Sequence, residues 1–61
     1  MPENYAPKEL AARWNVSQRS IYRLIRRGKL ATFRVGRQQR ISSQEVTKAE
    51  ESRLQQQIKD G

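Results

Sequence analysis

The sequence predicts a small α+β domain of three helices, with a two-stranded β-hairpin between the second and the third. Three observations predict it. The stretch S-Q-R-S-I-Y-R-L-I-R-R-G, Ser17 to Gly28, is a helix marked at both ends. A shorter helical stretch precedes it across a tight turn. After Gly28 the period changes from helical to alternating, and Ser42-Ser43-Gln44-Glu45 then carries the pattern that restarts a helix.

Residues Met1 to Tyr5 read as a short leader, mobile except for Tyr5. Pro7 suits the first position of a helix, where its missing N–H would be unpaired anyway. Ala6 is then the N-cap and a poor one, and Glu9 compensates in part by facing the positive end of the helix dipole. Tyr5 and Leu10 stand at hydrophobic-staple positions, and Leu10, Ala11 and Trp14 form the buried stripe of a helix from about Pro7 to Trp14. Asn15 follows, one of the few side chains that tolerate the left-handed conformation. Val16 can staple onto Ile21 across the Ser17 cap.

The second helix opens where the Ser17 side chain can accept from a free backbone N–H, and closes at Gly28. Ile21, Leu24 and Ile25 fall at i, i+3 and i+4 and make one apolar stripe. Gln18, Arg19, Tyr22, Arg23 and Arg26 sweep the opposite arc, with no acid nearby. One face seeks a core, and the other carries what a helix needs in the major groove of DNA. The spacing of helix, turn and capped helix is that of a helix-turn-helix.

From Leu30 to Val35 the residues alternate, with Ala31, Phe33 and Val35 on one side and Thr32 and Arg34 on the other. Gly36 marks a turn, and Gln38 to Ile41 return as a second strand. A three-residue loop, Gly36-Arg37-Gln38, puts Phe33 opposite Ile41 on the core side and Arg34 opposite Arg40 outside. A two-residue loop shifts that register. Either loop leaves Arg37 at the tip. A third helix follows the capping box, with Val46, Ala49, Leu54 and Ile58 as a thin apolar edge. The chain thus reads as one domain, 1–61, with a core over about 5–50 and a polar helical tail, 51–61, that frays or meets another molecule.

Charge is sorted along the chain. Of the net +7, Arg13, Arg19, Arg23, Arg26, Arg27, Lys29, Arg34, Arg37 and Arg40 form a window free of Asp and Glu. The acids Glu3, Glu9, Glu45, Glu50, Glu51 and Asp60 all lie outside it. Such a single-sign field is relieved by a polyanion. The chain has no cysteine or histidine, so disulfides and the usual zinc sites are excluded and no metal or cofactor is expected. An enzymatic reading also lacks a glycine-rich phosphate loop and an acid pair within the basic region. Without a signal peptide or an apolar span, the expected location is cytoplasmic and nucleoid-associated.

The run Y-A-P-K-E-L-A-A-R-W-N-V-S-Q-R-S-I-Y-R-L-I-R-R-G-K-L-A-T-F-R-V-G-R-Q-Q-R-I-S, from Tyr5, resembles the excisionase-type helix-turn-helix domain. That domain is a winged helix related to the DNA-binding part of MerR regulators. The resemblance extends to about Val46, and V-S-Q-R-S-I-Y-R-L-I-R-R-G-K-L followed by R-V-G-R-Q-Q-R-I-S carries it most strongly. It departs at Trp14-Asn15, where an aliphatic residue and a glycine are usual, and at Ala6, where Ser or Thr is usual. Both departures bear on packing and stability.

The resemblance implies a winged helix-turn-helix whose second helix enters the major groove and whose hairpin wing touches the minor groove or the backbone. By position, Ser17, Gln18, Arg19, Ser20, Tyr22 and Arg23 then stand at the groove, with Arg26 and Arg27 near the helix end. Arg34, Arg37, Gln38 and Arg40 belong to the wing, and Lys8 and Arg13 are candidate phosphate clamps. Gln18 and Arg19 are the first candidates for reading bases, because glutamine can grip adenine and arginine guanine bidentately. Trp14 and Phe33 are assigned to the core.

Family members include excisionases, recombination directionality factors of phages and mobile elements that bend attachment-site DNA and favour excision by an integrase (a tyrosine recombinase). Others are small transcriptional regulators of prophage or plasmid type. With little beyond the domain itself, a stand-alone architectural or regulatory factor is expected, with double-stranded DNA, an integrase and neighbouring copies of itself as partners. No membrane and no small-molecule substrate is expected. From another class, an adaptor could turn the basic face to an acidic protein; an RNA-binding module would need exposed aromatic platforms.

Overall fold

The computed structural model describes residues 3–52. The element order is β1 (Asn4–Tyr5), α1 (Pro7–Trp14), α2 (Gln18–Arg26), β2 (Phe33–Val35), β3 (Gln38–Ser42) and α3 (Ser43–Glu51). The three helices and the hairpin between α2 and α3 are those expected. Leu54, Ile58 and the tail beyond Ser52 lie outside the described residues.

The helix ends follow local rules. Pro7 opens α1, and the Glu9 carboxylate accepts from the Ala6 N–H at 2.7 Å, the carboxylate half of a capping box whose other half Ala6 has no side-chain oxygen to make. Asn15 closes α1 with φ +57°; its N–H bonds the Ala12 carbonyl at 3.3 Å and the Val16 N–H bonds the Ala11 carbonyl at 2.9 Å. Gly28, φ +74°, closes α2 in the same pattern, with Gly28 N–H to Ile25 and Lys29 N–H to Leu24. Ser42 ends β3 and caps α3 by accepting from the Glu45 N–H at 3.1 Å. The capping box is only half made, because the Glu45 carboxylate goes instead to the Ala31 N–H of the loop before the wing, at 3.1 Å.

The end of the leader, from Glu3, is not a free arm. Asn4 and Tyr5 form a strand, pairing with Ser42 and Ile41, so the antiparallel sheet is three-stranded in the order β1-β3-β2. The Ser43 N–H adds a bond to the Glu3 carbonyl at 2.9 Å. A two-residue strand is too short to show a period, and its pairing partner lies across the whole domain.

The hairpin register corrects the three-residue loop. Phe33 pairs with Arg40, Arg34 with Gln39 and Val35 with Gln38, around a two-residue loop, Gly36-Arg37. Gly36 alone in that loop has positive φ, +63°, which suits a turn with glycine in its first central position. A slip of one residue sends every side chain to the other face. Ala31, Phe33 and Val35 are therefore exposed, not buried, while Leu30 before the strand is buried. Arg34 does not oppose Arg40, and the expected like-charge pair does not form.

The core is Tyr5, Leu10, Ala11, Ile21, Leu24, Leu30, Ile41, Val46 and Ala49, with Trp14, Val16 and Ile25 half-buried against it. Every described element except β2 contributes, and α2 packs chiefly on α1. Fully burying a Leu or Ile is worth about 1.5–3 kcal/mol, and Leu10, Ile21, Leu30 and Ile41 are buried outright.

Candidate nucleic-acid interface

The Ser17 side chain accepts from the Ser20 N–H at 3.2 Å and fixes where α2 begins. From there Ser20, Ile21 and Leu24 turn inward, and Gln18, Arg19, Tyr22, Arg23 and Arg26 outward. Ser20 is thus not presented at the groove; it is buried, with its hydroxyl 3.2 Å from the Ser17 Oγ. Tyr22 is 45% exposed and belongs to the outer face.

Two concave surfaces meet at Tyr22. One is lined by Lys8 of α1, Gln18 and Tyr22 of α2, and Arg34, Arg37, Gln38, Gln39 and Arg40 of the wing. The other follows α2 along Arg19, Tyr22, Arg23 and Arg26. Side chains from the first helix, the second helix and the wing, assigned from separate stretches of sequence, are therefore brought to one continuous surface. Arg27 is exposed at the end of α2 and lines neither concavity.

Arg13 goes elsewhere. Its Nε and Nη2 bond the Glu50 carboxylate of α3 at 2.8 and 3.2 Å, and the Trp14 Nε1 donates to the same carboxylate at 2.8 Å. The Arg13 guanidinium also lies 5.7 Å from the centroid of the Tyr5 ring. Hydrogen bonds from Arg13 and then Trp14 hold the Glu50 carboxyl below its usual range, against the opposing effect of burial. The bond to Glu50 likewise raises Arg13. This is a clamp between α1 and α3, and of the two cations expected to clamp phosphates only Lys8 lines the concavity with Gln18 and Tyr22. Phe33 is not core, being 42% exposed.

The wing is tied back through Arg40, which donates to Glu9 at 3.3 Å and to the Gln38 side chain. Gln39, unassigned from sequence, lines the concavity and is held there by a bond from its Nε2 to the Thr32 Oγ1 at 3.1 Å. Only the correct hairpin register could have revealed it, since that register pairs it with Arg34. Lys8, Arg19, Arg23, Arg26, Arg34 and Arg37 have no acidic partner among the described residues. Nor do the described residues hold a group of three metal-ligating side chains, or a helix long and apolar enough to cross a membrane.

A capped helix with a cationic outer face, seated on a supporting helix and flanked by a hairpin that continues the same cationic surface, defines the class of winged helix-turn-helix DNA-binding domains. Residues 5–53 match the family model described as "Helix-turn-helix domain", and the chain belongs to that family. No curated protein and no solved structure matches the chain.

Proposed function

We propose that this protein is a non-enzymatic, sequence-preferring binder of duplex DNA that acts as an excisionase, a recombination directionality factor. In this role it binds and bends attachment-site DNA so that an integrase excises a phage or mobile element. The observation that carries DNA binding is the shared concavity, where Lys8, Gln18 and Tyr22 meet Arg34 and Arg37. Gln18, Arg19 and Arg23 supply a short base readout, and the remaining cations hold phosphates and set the register. Arg40, already tied to Glu9, contributes more to the placement of the wing than to contact.

The excisionase role rests on the likeness of the two motifs and on size. A single module of this kind hides only about 600–1,000 Å² of its surface on DNA, so tight occupancy needs several copies side by side. An architectural factor acts in that way.

Two measurements test the two levels separately. If Lys8, Arg26, Arg34 and Arg37 all meet phosphates, log affinity falls against log salt with a slope of about −4. Undetectable duplex binding at low salt, with firm binding to an acidic protein, would instead establish an adaptor. For the role, the protein is added to the integrase and attachment sites of its own element. Excision should rise from background; control of a promoter with no effect on excision would make it a transcriptional regulator.

A further inference from the structure

Phe33 and Val35 are the feature that DNA binding by α2 leaves unexplained. They are 42% and 55% exposed, and they stand two residues apart on β2, the edge strand of the sheet. Cross-strand pairing puts them on one face with Arg40 and Gln38. Arg34 lies between them in sequence, and Arg37 follows at the tip. A single exposed apolar residue needs no account. An aromatic and a β-branched residue on one face, beside Arg40, with Arg37 at the tip and Arg34 on the reverse face of the same strand, is a more particular surface.

Its charge narrows the occupant. A second copy meeting the same patch would press Arg37 at the tip and Arg40 within the face against their own images, which is unfavourable. A partner with an anionic rim and an apolar floor fits both parts, and the minor groove of duplex DNA is built that way: phosphates at its edges, deoxyribose and base edges within. Size adds a second argument. Paired strands stand about 4.8 Å apart before side chains are counted, and the minor groove is only about 6 Å wide. A hairpin entering it must widen it, and an apolar wedge between base steps is the low-cost way, because it replaces part of the lost stacking. Wedging from the minor groove bends DNA toward the major groove.

We infer that Phe33 and Val35 form an apolar wedge with which the wing opens a base step in the minor groove, so that the wing kinks the DNA that α2 reads. This rests on the DNA-binding reading above. The probe is a duplex of about 30 base pairs recovered from a random pool by selection with the wild-type protein, with a fluorescence donor and acceptor at its ends. Wild-type protein at saturation should shorten the end-to-end distance. The double variant Phe33→Ser/Val35→Ser should bind within about tenfold of wild type yet leave the duplex at its free length. Phe33→Leu, which keeps apolar bulk, should retain the bend that Phe33→Ser loses. Both side chains lie outside the core, so all variants should melt as wild type does.

Equal bending by the double variant and wild type overturns the wedge. So does equal bending by Phe33→Leu and Phe33→Ser, or wild-type binding with no shortening; DNA binding itself survives all three. If selection with wild-type protein enriches no duplex, the DNA-binding reading fails, and the wedge with it.

Discussion

Gln18 and Tyr22, one helical turn apart, line the same concavity as Arg34 and Arg37, so each can be assigned a different job. Gln18 and Arg19 stand in the first turn of α2, the part of a recognition helix that reaches base edges. Arg37 stands at the wing tip, where under the proposed function it meets phosphate rather than a base edge. Gln18→Ala and Arg19→Ala should therefore blur sequence preference, at about 1–3 kcal/mol for the matched base, while Arg37→Ala weakens all duplexes alike and lowers the salt slope by about 1. Paired measurements on selected and random duplexes check this, and equal losses on both for all three variants would remove the base-readout assignment. The outer arc of α2 was legible because its period is strong and its signs do not mix. Ser20 was misread for a physical reason: a short hydroxyl can be buried when Ser17 lies 3.2 Å away, and no hydrophobic pattern marks it. Arg13 was misread because its partner, Glu50, is 37 residues away in sequence.

Elements were legible where their limits are local. Asn15 and Gly28 close α1 and α2 with the same two backbone bonds, and both take positive φ. A Cβ added at Gly28 would meet nothing within 4 Å, so Gly28→Ala costs only the left-handed conformation, about 1 kcal/mol. Ser17→Ala should cost a similar amount by removing the cap. In a domain this size each change lowers the melting midpoint by roughly 4–8 °C. Asn15→Gly keeps the required φ and should melt within a degree or two of wild type (about 0.3 kcal/mol). Thermal unfolding of the three variants checks these values, and a Gly28→Ala variant as stable as wild type would deny Gly28 its role. The hairpin was less legible because its register hangs on one residue of loop length. Burial of an aromatic favoured the longer loop, whereas Gly36 in the first position of a two-residue turn favoured the shorter, and the turn chemistry prevailed.

Over the whole molecule three of the six acids that lie outside the basic window serve as joints. Glu9 bonds the Ala6 N–H and Arg40, Glu45 bonds the Ala31 N–H, and Glu50 holds Arg13 and Trp14. The sorting of charge was legible in sequence; these joints were not, because each links segments distant along the chain or caps a loop. Folding therefore gathers like charges on the α2–wing surface, and their repulsion opposes the compact state of the free protein. Salt acts on two opposed quantities. It weakens the two ion pairs, Arg13–Glu50 and Arg40–Glu9, but pairs on open surface are worth little. It also screens the repulsion within a net charge of +7, over distances comparable with the Debye length of about 10 Å at 0.1 M. The second effect should dominate, so raising salt from about 10 mM to about 100 mM lifts the melting midpoint of the free protein. Duplex DNA reverses the sign. At about 100 times Kd it adds about 2.7 kcal/mol to stability, and that increment disappears as salt releases the DNA. Plotted against salt, the midpoint of the free protein should rise and that of the complex should fall toward it, with both followed by the emission of Trp14, the one tryptophan. A free protein that melts earlier as salt is added would mean that the ion pairs outweigh the repulsion, and the cationic face would then cost the fold nothing to keep.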